Sequence, residues 1–153
     1  MKGALKAAAA LAVLAVLTWT GAYLTWHIRI VGALRSLETQ TGPPFPSASN
    51  RSEAHDVLDA AGCRALPYLV GALEPSKNPF FLATASAWFA WQTAPPGENV
   101  NDRVKEWAIG PEDSAAERAK KCDAIREWWR LHGQEFHQSW RLWSRAFAFK
   151  LRL

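Results

Sequence analysis

Few side chains in this 153-residue chain are of kinds that do chemistry, and their spacing limits what that chemistry can be. His132 and His137 stand five apart, off a common helix face, so they do not read as a metal-binding pair. Asp56 and Asp59 stand three apart on a helix-forming stretch, and with no metal site or evident cleft beside them they read as a solvated face. An active site would need a pocket joining distant residues such as His55, Asp59, Glu106 and His132. No GxGxxG, P-loop, GxSxG or HExxH motif is present. The two cysteines, Cys63 and Cys122, are too few for a four-thiolate zinc site and stand in no CxxCH haem box. They either form one disulfide in an oxidising compartment or remain two small buried thiols. His27 stands at the end of an apolar run, where it reads as a polar interfacial anchor or, less simply, as a ligand to a pigment or haem. A non-catalytic protein with no metal or cofactor of its own is expected, any pigment or haem contact being made through a neighbouring subunit.

Charge is distributed in blocks. Residues 1–37 carry Lys2, Lys6, Arg29 and Arg35 and no acid, giving +4. Residues 38–137 hold all 14 acids and 10 bases, giving −4, and residues 138–153 carry Arg141, Arg145, Lys150 and Arg152 with no acid, again +4. An acidic body between basic ends suits lipid headgroups or an acidic partner better than a groove for nucleic acid.

Ala7 to Trp26 is a run of 20 residues without a charge. As a helix it spans about the 30 Å of a bilayer core. Tyr23, Trp26 and His27 stand at its far end, where amphipathic rings favour the interface. The competing reading is a signal peptide cut after Ala22, which would leave the apolar start Tyr-Leu-Thr-Trp-His-Ile. An intact anchor is expected, with the N-terminus cytoplasmic and the body periplasmic at a bacterial inner membrane. Ile30, Val31, Leu34 and Leu37 keep helical spacing, so a stalk continues the span to about residue 38 and its apolar stripe should pack on something.

Residues 39–52 hold three prolines, one glycine and many small polar residues and read as a linker. Short helices follow in the body, 53–137. Asn50 ahead of Glu53 gives a cap-like start, and Gly62 gives a C-cap. A second helix runs from about Arg64 to Leu73 with Pro67 in its first turn. Asn78-Pro79 caps and opens a third over Phe80 to Trp91, with Phe81, Ala85, Trp88 and Phe89 on one side. Residues 93–113 read as loop around a short run, Val104 to Ile109. Ser114-Ala-Ala-Glu117 is a capping box for a helix expected to stop at Gly133, with Cys122, Ile125, Trp129 and His132 on one face. No strand of convincing length is present.

This order resembles bacterial HEAT-type helical repeats, in which a helix reading Ala-x-Pro-x-Leu-x-x-x-Leu leads through a Pro-containing turn to an Ala-rich helix. The matching residues are Ala65, Leu66, Pro67, Leu69 and Leu73, then Glu74-Pro75, then Ala83, Ala85 and Ala87. Ala124 to Trp129 also resembles a Trp-rich closing helix of such proteins. The resemblance covers about residues 53–131 and implies a protein-binding rather than catalytic module. Leu82 and Ala83 stand where a HEAT second helix commonly carries a basic residue. Two repeats are fewer than such stacks need, so the expectation is an all-α chain: one transmembrane helix, then a four- or five-helix HEAT-like body with an end to be covered.

Nine tryptophans include Trp88, Trp91, Trp107, Trp128 and Trp129 in the body. They fill a thin core or anchor an interface. Adjacent Trp128 and Trp129 point about 100° apart on a helix, so one of them should face a second surface. Trp88, Trp91, Trp128 and Trp129 are therefore the expected partner-binding residues. The tail, 138–153, sets Trp140, Trp143 and Phe147 among Arg141, Arg145 and Lys150, the composition of a membrane-interface segment or of a core helix with a basic edge. The expected role is an accessory or scaffolding subunit of a larger membrane complex, photosynthetic or respiratory. Its partners would be other subunits and lipids, not nucleic acid or a small-molecule substrate. The alternative is an exported soluble binding module freed by cleavage near Ala22.

Overall fold

A computed structural model describes residues 2–40, 52–95 and 97–150, with side chains described over 6–40, 52–95, 97–134 and at 136. Every regular element among the described residues is helical: α1 (Lys2–Glu38), α2 (Glu53–Ala61), a 3-10 turn (Gly62–Ala65), α3 (Leu66–Ala72), α4 (Pro79–Gln92), α5 (Val100–Trp107) and α6 (Ala115–Lys150). One long apolar N-terminal helix followed by a small helical body is the expected all-α class. Most of the 39–52 linker, including Asn50, lies outside the described residues. So do the side chains of Trp140, Arg141, Trp143, Arg145, Phe147 and Lys150.

Helix α1 is long and apolar enough to cross a membrane, and none of its most apolar stretch is buried within the protein. Leu11, Leu14, Leu17, Trp19, Tyr23 and Leu24 are all more than half exposed. Its polar side chains are satisfied internally: the Thr18, Thr20 and Thr25 hydroxyls donate to carbonyls three or four residues back at 2.7–3.0 Å, as a hydrocarbon environment requires.

From Ile30 one stripe of α1 is buried. Ile30, Ala33, Leu34 and Leu37 are buried and join Ala54, Val57, Leu58 and Ala61 of α2 in one core. The expected stalk is thus a wall of the body rather than a spacer, and α1 packs on α2 first and on α3 and α4 beside it. Polar closures fix the far end of α1. Lys77 pairs with Glu38 at 2.6 Å, and Gln40 donates to the Ser52 hydroxyl at 3.0 Å, which lies 2.8 Å from His55 Nδ1. Asn78 serves two helices: its Oδ1 accepts from the Phe80 amide at 2.9 Å, capping α4, and its Nδ2 donates to the carbonyls of Glu38 and Gln40 at 3.4 and 3.2 Å.

Local signals explain the remaining boundaries. Gly62, with φ 53°, ends α2, its amide returning to the Leu58 carbonyl, a left-handed turn that favours glycine. Pro67 sits in the first turn of α3, which starts at Leu66 behind the 3-10 turn rather than at Arg64. Helix α4 is central: all residues from Phe81 to Ala90 except Trp88 are buried, and its alanines let neighbours approach from every side. Where a loop was expected, α5 begins at Val100, capped by the Asn99 side chain on the Asn101 amide at 3.0 Å. Ile109 follows into the core with its amide donating to Ser86 Oγ of α4 at 2.8 Å. The Ser114–Glu117 capping box forms in both directions, at 3.2 and 2.9 Å.

Helix α6 corrects one expectation, since it does not stop at Gly133 but continues to Lys150. A glycine inside a helix weakens it by about 1 kcal/mol without ending it, and no proline follows. The glycine has a packing reason: a Cβ there would stand 2.8 Å from Cε2 of the Trp129 indole. Cys63 and Cys122 are free, Cys63 lying 3.7 Å from the Gln92 amide oxygen and Cys122 buried in the core from α6, so each thiol is held in separate packing.

Because the stalk is core, Leu37→Ala should destabilise the body by about 2–5 kcal/mol, whereas Leu14→Ala, in the exposed stretch, should leave it unchanged. Thermal unfolding of the full chain in mild detergent checks this, and equal shifts for the two variants would contradict the packing.

Candidate functional site

Two clusters gather the residues singled out from the sequence. The first is aromatic and centred on Phe89 of α4, which is fully buried. Around its ring lie Trp107 of α5 at 6.0 Å and Trp128 and Trp129 of α6 at 5.5 and 6.4 Å, both of the latter edge-on. Both adjacent indoles reach the Phe89 ring, and each remains only partly buried. Phe136, two turns on, touches both at 5.9 and 6.1 Å, and the His132 ring lies 4.8 Å from Trp128. Arg103 of α5 sits 5.1 Å from the Trp107 ring and 5.4 Å from the Trp128 ring, a geometry that favours a cation over π density.

Trp88 and Trp91, three apart on α4, form an edge-on pair at 5.6 Å. Trp88 is partly buried against the core, but Trp91 is 51% exposed, and Leu131 of α6 is 57% exposed. Among the four expected partner-binding tryptophans, Trp91 is the one that presents most surface to a partner, while Trp128 and Trp129 are chiefly cluster members. The sequence names Phe89 on a helix face and Trp107 among the body's tryptophans, but it gives no role to Arg103 or Phe136. The spacing of Arg103 and Trp107, four apart on what proves to be a helix, was a usable signal.

A latch holds the turn after α5 against α6. Lys121 donates to Asp113 at 2.7 Å and to the Ala108 carbonyl at 3.1 Å, and Asp113 also accepts from the Gly110 amide at 2.8 Å. Burial pushes the Asp113 carboxyl up, but the Lys121 and Gly110 hydrogen bonds and the nearby positive charges outweigh it and hold the group below its ordinary value.

The second cluster stands where α1 leaves its exposed stretch. His27 Nδ1 lies 3.0 Å from the Tyr68 hydroxyl of α3, with their rings 5.3 Å apart. Trp19 and Tyr23 stack at 6.3 Å, and Trp26 is partly buried against the body. The four residues that an active site would need are not gathered. His55 and Asp59 are on α2, Glu106 is exposed on α5 and His132 rests on Trp128. None of them lines the open groove of about 370 Å³ between α1, α3 and α4, which is bordered by Val31, Arg35, Glu38, Tyr68 and Phe81. No group of three His, Cys, Asp or Glu suited to a metal occurs among the described residues.

No protein-family model matches the chain, and neither a curated protein nor a solved structure matches it.

Gly133→Ala should destabilise the protein although alanine is the better helix former, because its methyl displaces the Trp129 indole. Combined with Trp129→Ala, the same change should instead stabilise by about 1 kcal/mol relative to Trp129→Ala alone. Unfolding midpoints of the two pairs decide it. Asp113→Asn should cost about 1 kcal/mol at pH 7. A lowered carboxyl contributes its full stability above the unfolded value of about 3.9 and loses it as pH falls through the folded value. The gap between wild type and Asp113→Asn should therefore close progressively below about pH 4, as read by melting temperature against pH.

Proposed function

We propose that this chain is a single-pass membrane protein acting as a non-catalytic accessory or scaffolding subunit of a larger bacterial membrane complex. The observation that carries the reading is the division of α1. One uninterrupted helix is apolar and exposed over a bilayer's length, then supplies Ile30, Leu34 and Leu37 to the core of a small helical body. Such a helix couples the body's position rigidly to the membrane, which suits a part that docks on a neighbour rather than one that diffuses to a substrate.

The N-terminus lies in the cytoplasm and the body in the periplasm at the inner membrane. Docking uses the α4–α6 side, where exposed Trp91 and Leu131 flank the aromatic cluster, since aromatic residues on a rigid support are efficient interface anchors. The HEAT resemblance fits this role: α3, a Pro-containing turn and Ala-rich α4 follow one another in the expected order, and such a short stack leaves an end for a partner to cover. The basic segment at 138–153 is available to headgroups or to acidic residues of the partner. The reading includes no cofactor held by this chain; a photosynthetic or respiratory assembly would bring its own pigments or haems through other subunits.

The test is extraction of the native membrane in mild detergent, size separation and intact-mass measurement. The reading expects the full-length mass migrating with a large complex, shifted to the free fraction by Trp91→Ala. A free species of about 130 residues beginning at Tyr23 would overturn it in favour of an exported soluble module, which would keep Ile30 to Leu37 and hence its core.

A further inference from the structure

The two arginines nearest the outer end of the span converge on one ring. Arg29, three residues past Trp26 on α1, has its guanidinium carbon 5.2 Å from the centre of the Trp26 indole, and Arg64, from the 3-10 turn of the body, has its own 5.5 Å from the same centre. Both arginines are exposed. Trp26 closes the uncharged run of 20 residues, so its ring stands about 30 Å from the start of that run, at headgroup depth. Arg64 is 35 residues further along the chain, and only folding brings it to this level. Tyr68, one helical turn beyond Arg64, is tied to His27 at 3.0 Å, so two points of the body meet α1 at the outer margin of the span.

We propose that this junction is a binding site for the phosphate of an anionic phospholipid, held between Arg29 and Arg64 with Trp26 as its floor, so that the 3-10 turn and the start of α3 rest on the bilayer surface. Two guanidinium groups within 5.2 and 5.5 Å of one indole can present paired donors to a phosphate. The preceding residues of α1 contribute no acid to oppose them, since the first acid of the chain is Glu38. Arg64 also makes a further contact within the protein. The occupant is a lipid rather than free phosphate because the site lies beside apolar helix surface that acyl chains would cover in a bilayer: Tyr23, Leu24 and Ile28 are 61%, 54% and 62% exposed. The inference rests on α1 spanning a bilayer but not on any partner subunit.

The test uses the full-length chain in neutral detergent, with native mass spectrometry counting retained phosphatidylglycerol, phosphatidylcholine or glycerol phosphate. Phosphatidylglycerol should be retained in preference to the other two, and Arg29→Gln and Arg64→Gln should each reduce its retention about fivefold. Arg35→Gln, the same charge change about 9 Å further from the bilayer, should leave retention close to wild type. Each variant's melting temperature without lipid separates lost binding from lost folding. In the wild type, amide exchange over residues 62–68 should slow in phosphatidylglycerol nanodiscs relative to phosphatidylcholine. Equal retention of both lipids, an equal effect of Arg35→Gln, glycerol phosphate binding as well as the lipid, or unchanged exchange would overturn the site. Retention of neither lipid would likewise overturn the site but not the span, since a single helix in detergent need not keep any bulk lipid.

Discussion

Helix α1 meets two media along one axis, and the rest of the structure depends on where it changes from one to the other. Up to Leu24 its large apolar side chains are mostly exposed, Trp26 begins the contact with the body, and from Ile30 to Leu37 one stripe becomes the wall on which α2 packs. Burial of that stripe removes apolar surface from water in a body too small to be generous with core. The same packing removes the freedom a linker would have allowed, so the body cannot reorient without unpacking its own interior.

Polar groups finish what burial begins. Asn78 satisfies donors and acceptors of two helices at once, capping α4 while closing the carbonyl end of α1. Arg126 of α6 donates to the Leu73 carbonyl at the end of α3, and Ser86 of α4 accepts the Ile109 amide. Each bond joins elements distant in sequence at a helix end, where backbone groups lack internal partners. The body is therefore assembled around its helix termini as much as around its core.

The aromatic cluster shows how a thin helical core is filled. Phe89 is reached by three indoles from two other helices, and Gly133 makes room for one of them by having no side chain. The large rings compensate for short helices: α3 has 7 residues and α5 has 8. What remains on the outside, Trp91 above all, is surface that a solvent-facing helix has little use for.

The sequence by itself determined what depends on neighbours within one turn. The uncharged run to Trp26, the Asn78-Pro79 start, the Ser114–Glu117 capping box and the Gly62 stop were legible because donor, acceptor and backbone preference lie within three or four residues of each other. The stripe from Ile30 to Leu37 was legible as apolar, but not its partner. Gly133 misled because a glycine ends a helix only when nothing beyond continues it, and its true role depends on the Trp129 indole. Tertiary structure alone decided that Trp128 and Trp129 share Phe89, that Cys63 and Cys122 remain apart, and that Arg64 and Tyr68 reach Trp26 and His27. Those outcomes are set by which helices pack together, and no spacing along the chain encodes a contact made across some forty residues.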